Sequence, residues 1–280
     1  MAAQPASGAD LDEATALVGD GQRFSTVLSE AWEIWGPNGG YLAALALRAA
    51  GVCAEIDHPA SLYCHFLRSP EFDGVELEVE HLRRSRRAEA ISVQMTQGHK
   101  PVLQALVRTA AQAPGYEYQH SHAPSVPRPE DLRATEELWR EHERPPFRFW
   151  KNLERRPVDQ GYKPMSPGNE RRDPVVREWV RYRPTARFGD PFVDAMRALI
   201  LLDTYGWPAA FRALGDGTYI APNLDTAVWF HQFSPSSEWL LIDQESVLGA
   251  RGLLGVRGNV WDLDGRLLAT GGSQLCCIPA

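Results

Sequence analysis

The feature that most constrains this chain is a repeat. Its second half runs through the same order of segments as its first. From the first strand after each long helix, the two runs align without a gap at a constant offset of 165 positions. Ser69-Pro70 falls on Ser234-Pro235, Glu80 on Glu245, Arg86 on Arg251 and Leu103 on Leu268. The identities are few, and the matching order of elements carries the weight. In the first run SLYCHFLR (61–68), VELEVEHLRRS (75–85), AEAISVQMTQ (88–97) and PVLQALVRTAAQ (101–112) read as strands. Val75, Leu77, Val79 and His81 alternate onto one face of the second. In the other run the strands are LDTAVWFHQF, EWLLIDQESVLG, RGLLGVRGNVWD and LLATGGSQLCCI, with VVREWVRYRP as a strand ahead of the helix. The turns Gly98-His99-Lys100 and Asp264-Gly265-Arg266 separate the last two strands of each run.

The helix before the first run spans Gly40 to about Glu55, and the one before the second spans Phe192–Gly206. A helix followed by antiparallel strands, given twice, predicts an α+β chain with two curved antiparallel sheets, each wrapped around a central apolar helix. Alternation in the strands puts one face on the helix and the other in water or on a partner. Ahead of the first helix, Asp10–Val18 reads as a short helix, and FSTVL and AWEIW read as extended. Residues 113–174 are rich in Pro, Arg, Glu and His and read as a connector, with one short helix near Arg128–Glu143. Its Phe147, Phe149 and Trp150 predict that it packs on the surface. The expected organisation is therefore 1–112, 113–174 and 175–280.

Charge and motifs narrow the function. A formal charge of -7 and a pI near 5.6 argue against nucleic acid as the main partner. The exception is local: Arg83, Arg84, Arg86 and Arg87 form a basic hairpin end that could meet a polyphosphate. The N-terminus lacks the basic and apolar regions of a signal peptide, and no apolar run reaches membrane-spanning length. Cys53, Cys64, Cys276 and Cys277 have no metal-site spacing, and a reduced cytoplasmic protein fits them best. His58, His65, His99 and His231 form no metal-spaced group, so neither a metal nor a cofactor is expected. There is no GxSxG elbow.

WGPNGGYLAALALRAAG (35–51) is a loop that turns abruptly into an apolar helix. The start of such a helix offers unpaired backbone N–H groups and a positive dipole end, suited to a carbonyl or phosphate oxygen. It could equally be only a cap, with Asn38 closing the helix. In the second helix Asp203 is the acid inside the apolar run ALILLDTYGW. A buried carboxyl there needs a partner; a cap or a solvent-facing position at the helix end is the alternative.

Helix then wrapping strands, twice over, resembles the double-hotdog acyl-CoA thioesterases of the thioesterase II type. The likeness rests on PNGGYLAALAL, SLYCHFLRSPEFDGVELEVEHLRRSRR and GHKPVLQALVRTAAQ in the first half. In the second it rests on ALILLDTYG, NLDTAVWFHQF and EWLLIDQESVLGARGLLGVRGNVWDLDGRLLAT. It implies an acyl-CoA substrate, hydrolysis by water without metal, and further association of copies through their sheets as a homo-oligomer. It also implies a site made of a helix Asp, a hydroxyl residue before the following strand, and a Gln on the last strand. Asp203 matches the first, and Asn223 stands at the second. Gln274 is nearest to the third but one residue late, with Ser273 in register. A bulge at Gly271-Gly272 would return Gln274 to the inner face. Tyr63 stands where the family carries a His, with His65 two residues on, and the resemblance places it with Asn38, Gly39 and Gly40 facing the substrate. The glycine N–H groups are then oxyanion donors, since glycine lets the backbone come close. Asp225, two residues after Asn223, is easily confused with it. Two rivals stay open: a hotdog hydratase or dehydratase, which needs an Asp–His pair, and a non-catalytic acyl-CoA or acyl-carrier binder.

Overall fold

The computed structural model describes residues 8–138, 147–163, 170–214 and 217–280. Before the first long helix come α1 (Leu11–Ala14), β1 (Val18–Asp20) and β2 (Arg23–Val27). Then follow α2 (Gly39–Cys53), β3 (Pro59–Phe66), β4 (Gly74–Arg84), β5 (Ala88–Gln97) and β6 (Lys100–Ala110). The connecting stretch holds α3 (Thr135–Leu138) and β7 (Leu153–Pro157). The second run is β8 (Val175–Tyr182), α4 (Pro191–Thr204), α5 (Gly206–Leu214), β9 (Tyr219–Ile220) and β10 (Asp225–Phe230). It ends with β11 (Trp239–Ala250), β12 (Leu253–Asp262), β13 (Leu267–Cys276) and β14 (Ile278–Pro279).

The principal sheet has the order β1-β2-β4-β5-β6-β3-β10-β13-β12-β11-β8-β7. The order from β2 to β3 is repeated in reverse from β10 to β8, so the sequence repeat is a repeat of topology. The expectation of two separate sheets needs correction: β3 pairs antiparallel with β10, Asp225 opposite His65 and Trp229 opposite Ser61. This pairing satisfies two edges that would otherwise expose unpaired backbone groups. Two small expectations also change. AWEIW forms a single 3-10 turn at Glu30–Trp32, and the first helix stops at Ala14 so that Val18–Asp20 can pair with β2. Of the helix expected near 128–143, a 3-10 turn at Pro129–Asp131 and one α-helical turn at Thr135–Leu138 form among the described residues, and 139–143 lie outside them.

Both long helices lie against the inner face of the sheet and against each other. On α2, Gly40 to Leu47 and then Ala49 and Ala50 are all buried, which is why this helix reads apolar on nearly every side. The helices run antiparallel: Gly40 meets Ile200 and Asp203 at one end, and Gly51 meets Phe192 at the other. A β-carbon on Gly51 would stand 2.6 Å from the Phe192 ring, and one on Gly40 would stand 2.8 Å from the Ile200 Cα. Glycine at both crossings is what allows the close approach. Trp32, fully buried, stacks on Tyr41 at 5.4 Å and meets Phe149 edge-on at 5.6 Å. The connector thus packs down through Phe149, as its aromatics predict, while Phe147 stays partly exposed.

Candidate active site

Asp203 sits on the last turn of α4, 4% exposed. The antiparallel crossing aims that turn at the first turn of α2, the positive end of the helix dipole. Two donors hold it and a third residue lies against it. Asn223 Nδ2 donates to Asp203 Oδ1 at 2.7 Å and to the Asp203 carbonyl at 2.8 Å. The Gly40 N–H donates to the carboxylate. Gly39 faces it closely, since a β-carbon there would stand 3.0 Å from Oδ2 and 3.1 Å from Phe66 Cζ. Burial pushes the Asp203 pKa up to about 7, against the lowering effect of the Asn223 and Gly40 donors. A carboxyl in that range takes and returns a proton near neutrality.

Asn38 closes the neighbouring turn. Its Oδ1 accepts from the Tyr41 N–H at 2.9 Å and its Nδ2 donates to Thr204 Oγ1 at 3.1 Å. It is an N-cap, and it also ties α2 to the residue after Asp203. Asn223 lies just before β10 and forms an isolated bridge with Leu275 on β13. Asp203, Asn223, Asn38, Gly39 and Gly40 therefore come together at the meeting of α2, α4 and the start of β10.

Two expected members stand elsewhere. Gln274 is exposed on the outer face of β13, and the buried position is Ser273. No bulge occurs at Gly271-Gly272: Gly271 pairs with Val228 and Gly272 with Ala227 in regular register. The extra residue is accommodated at Leu268, between the Val260–Ala269 and Trp261–Leu267 pairs. The glycines serve close packing instead. A β-carbon on Gly271 would stand 2.6 Å from the Ala227 carbonyl and 3.1 Å from Leu202 Cδ1. Tyr63 is likewise on the outer face, 42% exposed, with its ring edge-on to Trp229 at 5.7 Å. Strand alternation puts Leu62 and Cys64 inside and Tyr63 and His65 outside. Asp225 is also apart, its Oδ1 accepting from the Gln274 N–H at 2.9 Å.

The basic hairpin end lies far off. Arg84 bonds Glu55, and Glu89 accepts from the N–H groups of Glu55 and Ile56, just past the C-terminus of α2. Asp203 is at the other end of that helix, whose 15 residues span about 22 Å.

No motif in the sequence marks Phe66, Thr204 or Thr226. The alternation of SLYCHFLR already put Phe66 on the same face as Leu62 and Cys64. Thr226 is 1% exposed on the inner face of β10, a placement that needed the strand phase to be known.

Comparisons with known proteins agree with this geometry. Residues 28–110 match the family model of the acyl-CoA thioesterase N-terminal domain, and residues 121–278 match that of the C-terminal domain. Human acyl-coenzyme A thioesterase 8 is 30% identical over 259 residues, covering 83% of this chain and 77% of that protein. A hot dog fold protein of unknown function from Alicyclobacillus acidocaldarius superposes with a TM-score of 0.83 at 22% identity, covering 96% of this chain and 98% of that one. The TesB protein of Mycobacterium avium subspecies paratuberculosis gives 0.78 at 24%, covering 98% and 100%. The two solved structures establish a hotdog-type fold. With matched domains that together span both halves and a buried acid poised at a helix start, the chain belongs to the acyl-CoA thioesterase family and is an acyl-CoA thioester hydrolase.

Proposed function

We propose that the chain hydrolyses acyl-CoA by direct attack of water, with Asp203 as the general base in a double hotdog built from residues 1–112 and 175–280. Residues 113–174 act as the connector that adds β7 to one edge of the sheet. The observation that carries this reading is the Asp203 carboxylate, buried between the start of α2 and Asn223 with its pKa raised to about 7. A water beside Oδ2 gives its proton to Asp203 as its oxygen bonds the thioester carbonyl carbon. The carbonyl oxygen gains the charge. Collapse of the adduct breaks the C–S bond, and the departing thiolate takes the proton back from Asp203. The products are the free acid and CoA.

The N–H groups of Gly39 and Gly40 are the donors for the oxyanion. In the resting site the Gly40 N–H is held by Asp203. Protonation of Asp203 weakens that bond while charge builds on the substrate oxygen, so the donor is released when it is needed. Asn223 fixes the carboxylate and Asn38 fixes the helix start. The protein works in a reducing compartment such as the cytoplasm, where Cys64 near Asp203 stays a thiol.

Release of free CoA from a panel of acyl-CoAs tests this. Wild-type protein should release it and Asp203→Asn should not. Tight binding without release by the wild type would overturn the mechanism.

A further inference from the structure

The floor beneath Asp203 holds two hydroxyls with no part in the scheme above. On the inner face, Cys64, Thr226, Ser273 and Val256 form one row across four strands. Thr226 pairs with Cys64, Ser273 pairs with Val256, and Thr226 falls opposite Ser273 beside the Ala227–Gly272 pair. Thr226 is 1% and Ser273 8% exposed, and Ser273 Oγ lies 3.2 Å from Thr226 Oγ1. The overlying helices locate the row. Leu202 lies over Gly271, and Gly206 lies over Val256 and Leu275. Residues 203–205 therefore cross above Ser273, which stands between Gly271 and Leu275 on β13. At the other end of the row, the Asp203 charge acts on the Cys64 thiol.

The inner surface around the row is tightly filled, with Leu202 seated on Gly258 and Gly271 and the buried Gln244 donating to the Leu202 carbonyl at 2.9 Å. A hydroxyl pair in such a place is costly unless it is bonded. Ser273 donates to Thr226 in this pair, so the Thr226 proton and the lone pairs of Ser273 remain for a third partner. We propose that this partner is the hydrolytic water, and that Ser273, backed by Thr226, is the second group orienting it. Gln274 points to the opposite face and has no route to that water. This inference rests on the reading of Asp203 as the base. It assigns the orienting contact to a short hydroxyl fixed by its neighbour.

Steady-state hydrolysis by variants tests it. Ser273→Ala should lower kcat about tenfold, the worth of one hydrogen bond in the transition state, with KM little changed. Ser273→Thr keeps a hydroxyl and should retain most of kcat. Thr226→Val should lower kcat, and Thr226→Ser should restore it. In all four, the pH at which activity rises should stay that of Asp203. Full kcat in Ser273→Ala, or loss in Ser273→Thr equal to that in Ser273→Ala, would overturn the inference. If Asp203→Asn is inactive while Ser273→Ala is fully active, only the role of Ser273 falls. If Asp203→Asn is fully active, the reading of the base falls with it.

Discussion

Asn223 grips Asp203 twice with one nitrogen, donating to its carboxylate at 2.7 Å and to its backbone carbonyl at 2.8 Å. The amide thus caps the end of α4 and favours the ionised acid together. Removing it should have two separable effects. Asn223→Ala leaves a buried carbonyl and carboxylate short of a donor, costing about 1–3 kcal/mol of stability. It also withdraws a contact that lowers the Asp203 pKa, which then rises further above about 7. Activity of the variant should be most depressed near neutral pH and recover partly in more alkaline buffer. A kcat/KM profile against pH would show its rising limb displaced upward from that of the wild type.

Asp203 itself sets the wild-type profile. As a base it must be ionised, so kcat/KM should rise with pH through about 7 and then level. Asp203→Asn should lose about 10²- to 10⁴-fold in kcat and show no such limb. Circular dichroism should report an intact fold.

The same carboxyl shapes stability in the opposite sense to activity. Its folded pKa of about 7 lies above the ordinary carboxyl value of 3.8. Below about pH 4 the acid is neutral in both states and costs nothing. Between 4 and 7 the unfolded chain releases its proton before the native chain does, so stability falls as pH rises. Above about 7 the full difference is reached, of order 4 kcal/mol for about three units. Urea unfolding at pH 5 and pH 8 should show wild-type protein losing stability relative to Asp203→Asn. Parallel pH dependence in the two proteins would contradict the buried, strained acid.

Strands and helices were not equally legible in the sequence. β12, Leu253–Asp262, is β5, Ala88–Gln97, displaced by the offset of the repeat residue for residue. Strand alternation is a local signal and survives divergence. The helices break the offset because α5 is inserted between α4 and β10, and an insertion leaves no mark on periodicity. Asp203 was legible as the acid inside the apolar run ALILLDTYGW. Gln274 was misread because a Gly-Gly pair serves a bulge and a close packing contact equally well in sequence. The regular pairing with β10 and the Leu202 side chain above Gly271 tell them apart. Tyr63 was misread because matching a family position says nothing about which face of the strand a residue takes.

The two ends of the helix crossing should respond differently to one added methyl. At Gly51 the new β-carbon meets the Phe192 ring at 2.6 Å, a helix length from Asp203. Gly51→Ala should cost about 1–3 kcal/mol through overpacking and leave the kcat of folded protein largely unchanged. At Gly39 the β-carbon meets Asp203 Oδ2 at 3.0 Å and Phe66 Cζ at 3.1 Å. It occupies the space where the water and the thioester must approach. Gly39→Ala should therefore lower kcat at least about tenfold with a smaller change in melting temperature. Thermal unfolding and initial rates measured on both variants separate the two effects. Equal losses of activity at the two positions would mean that the start of α2 has no special relation to the chemistry.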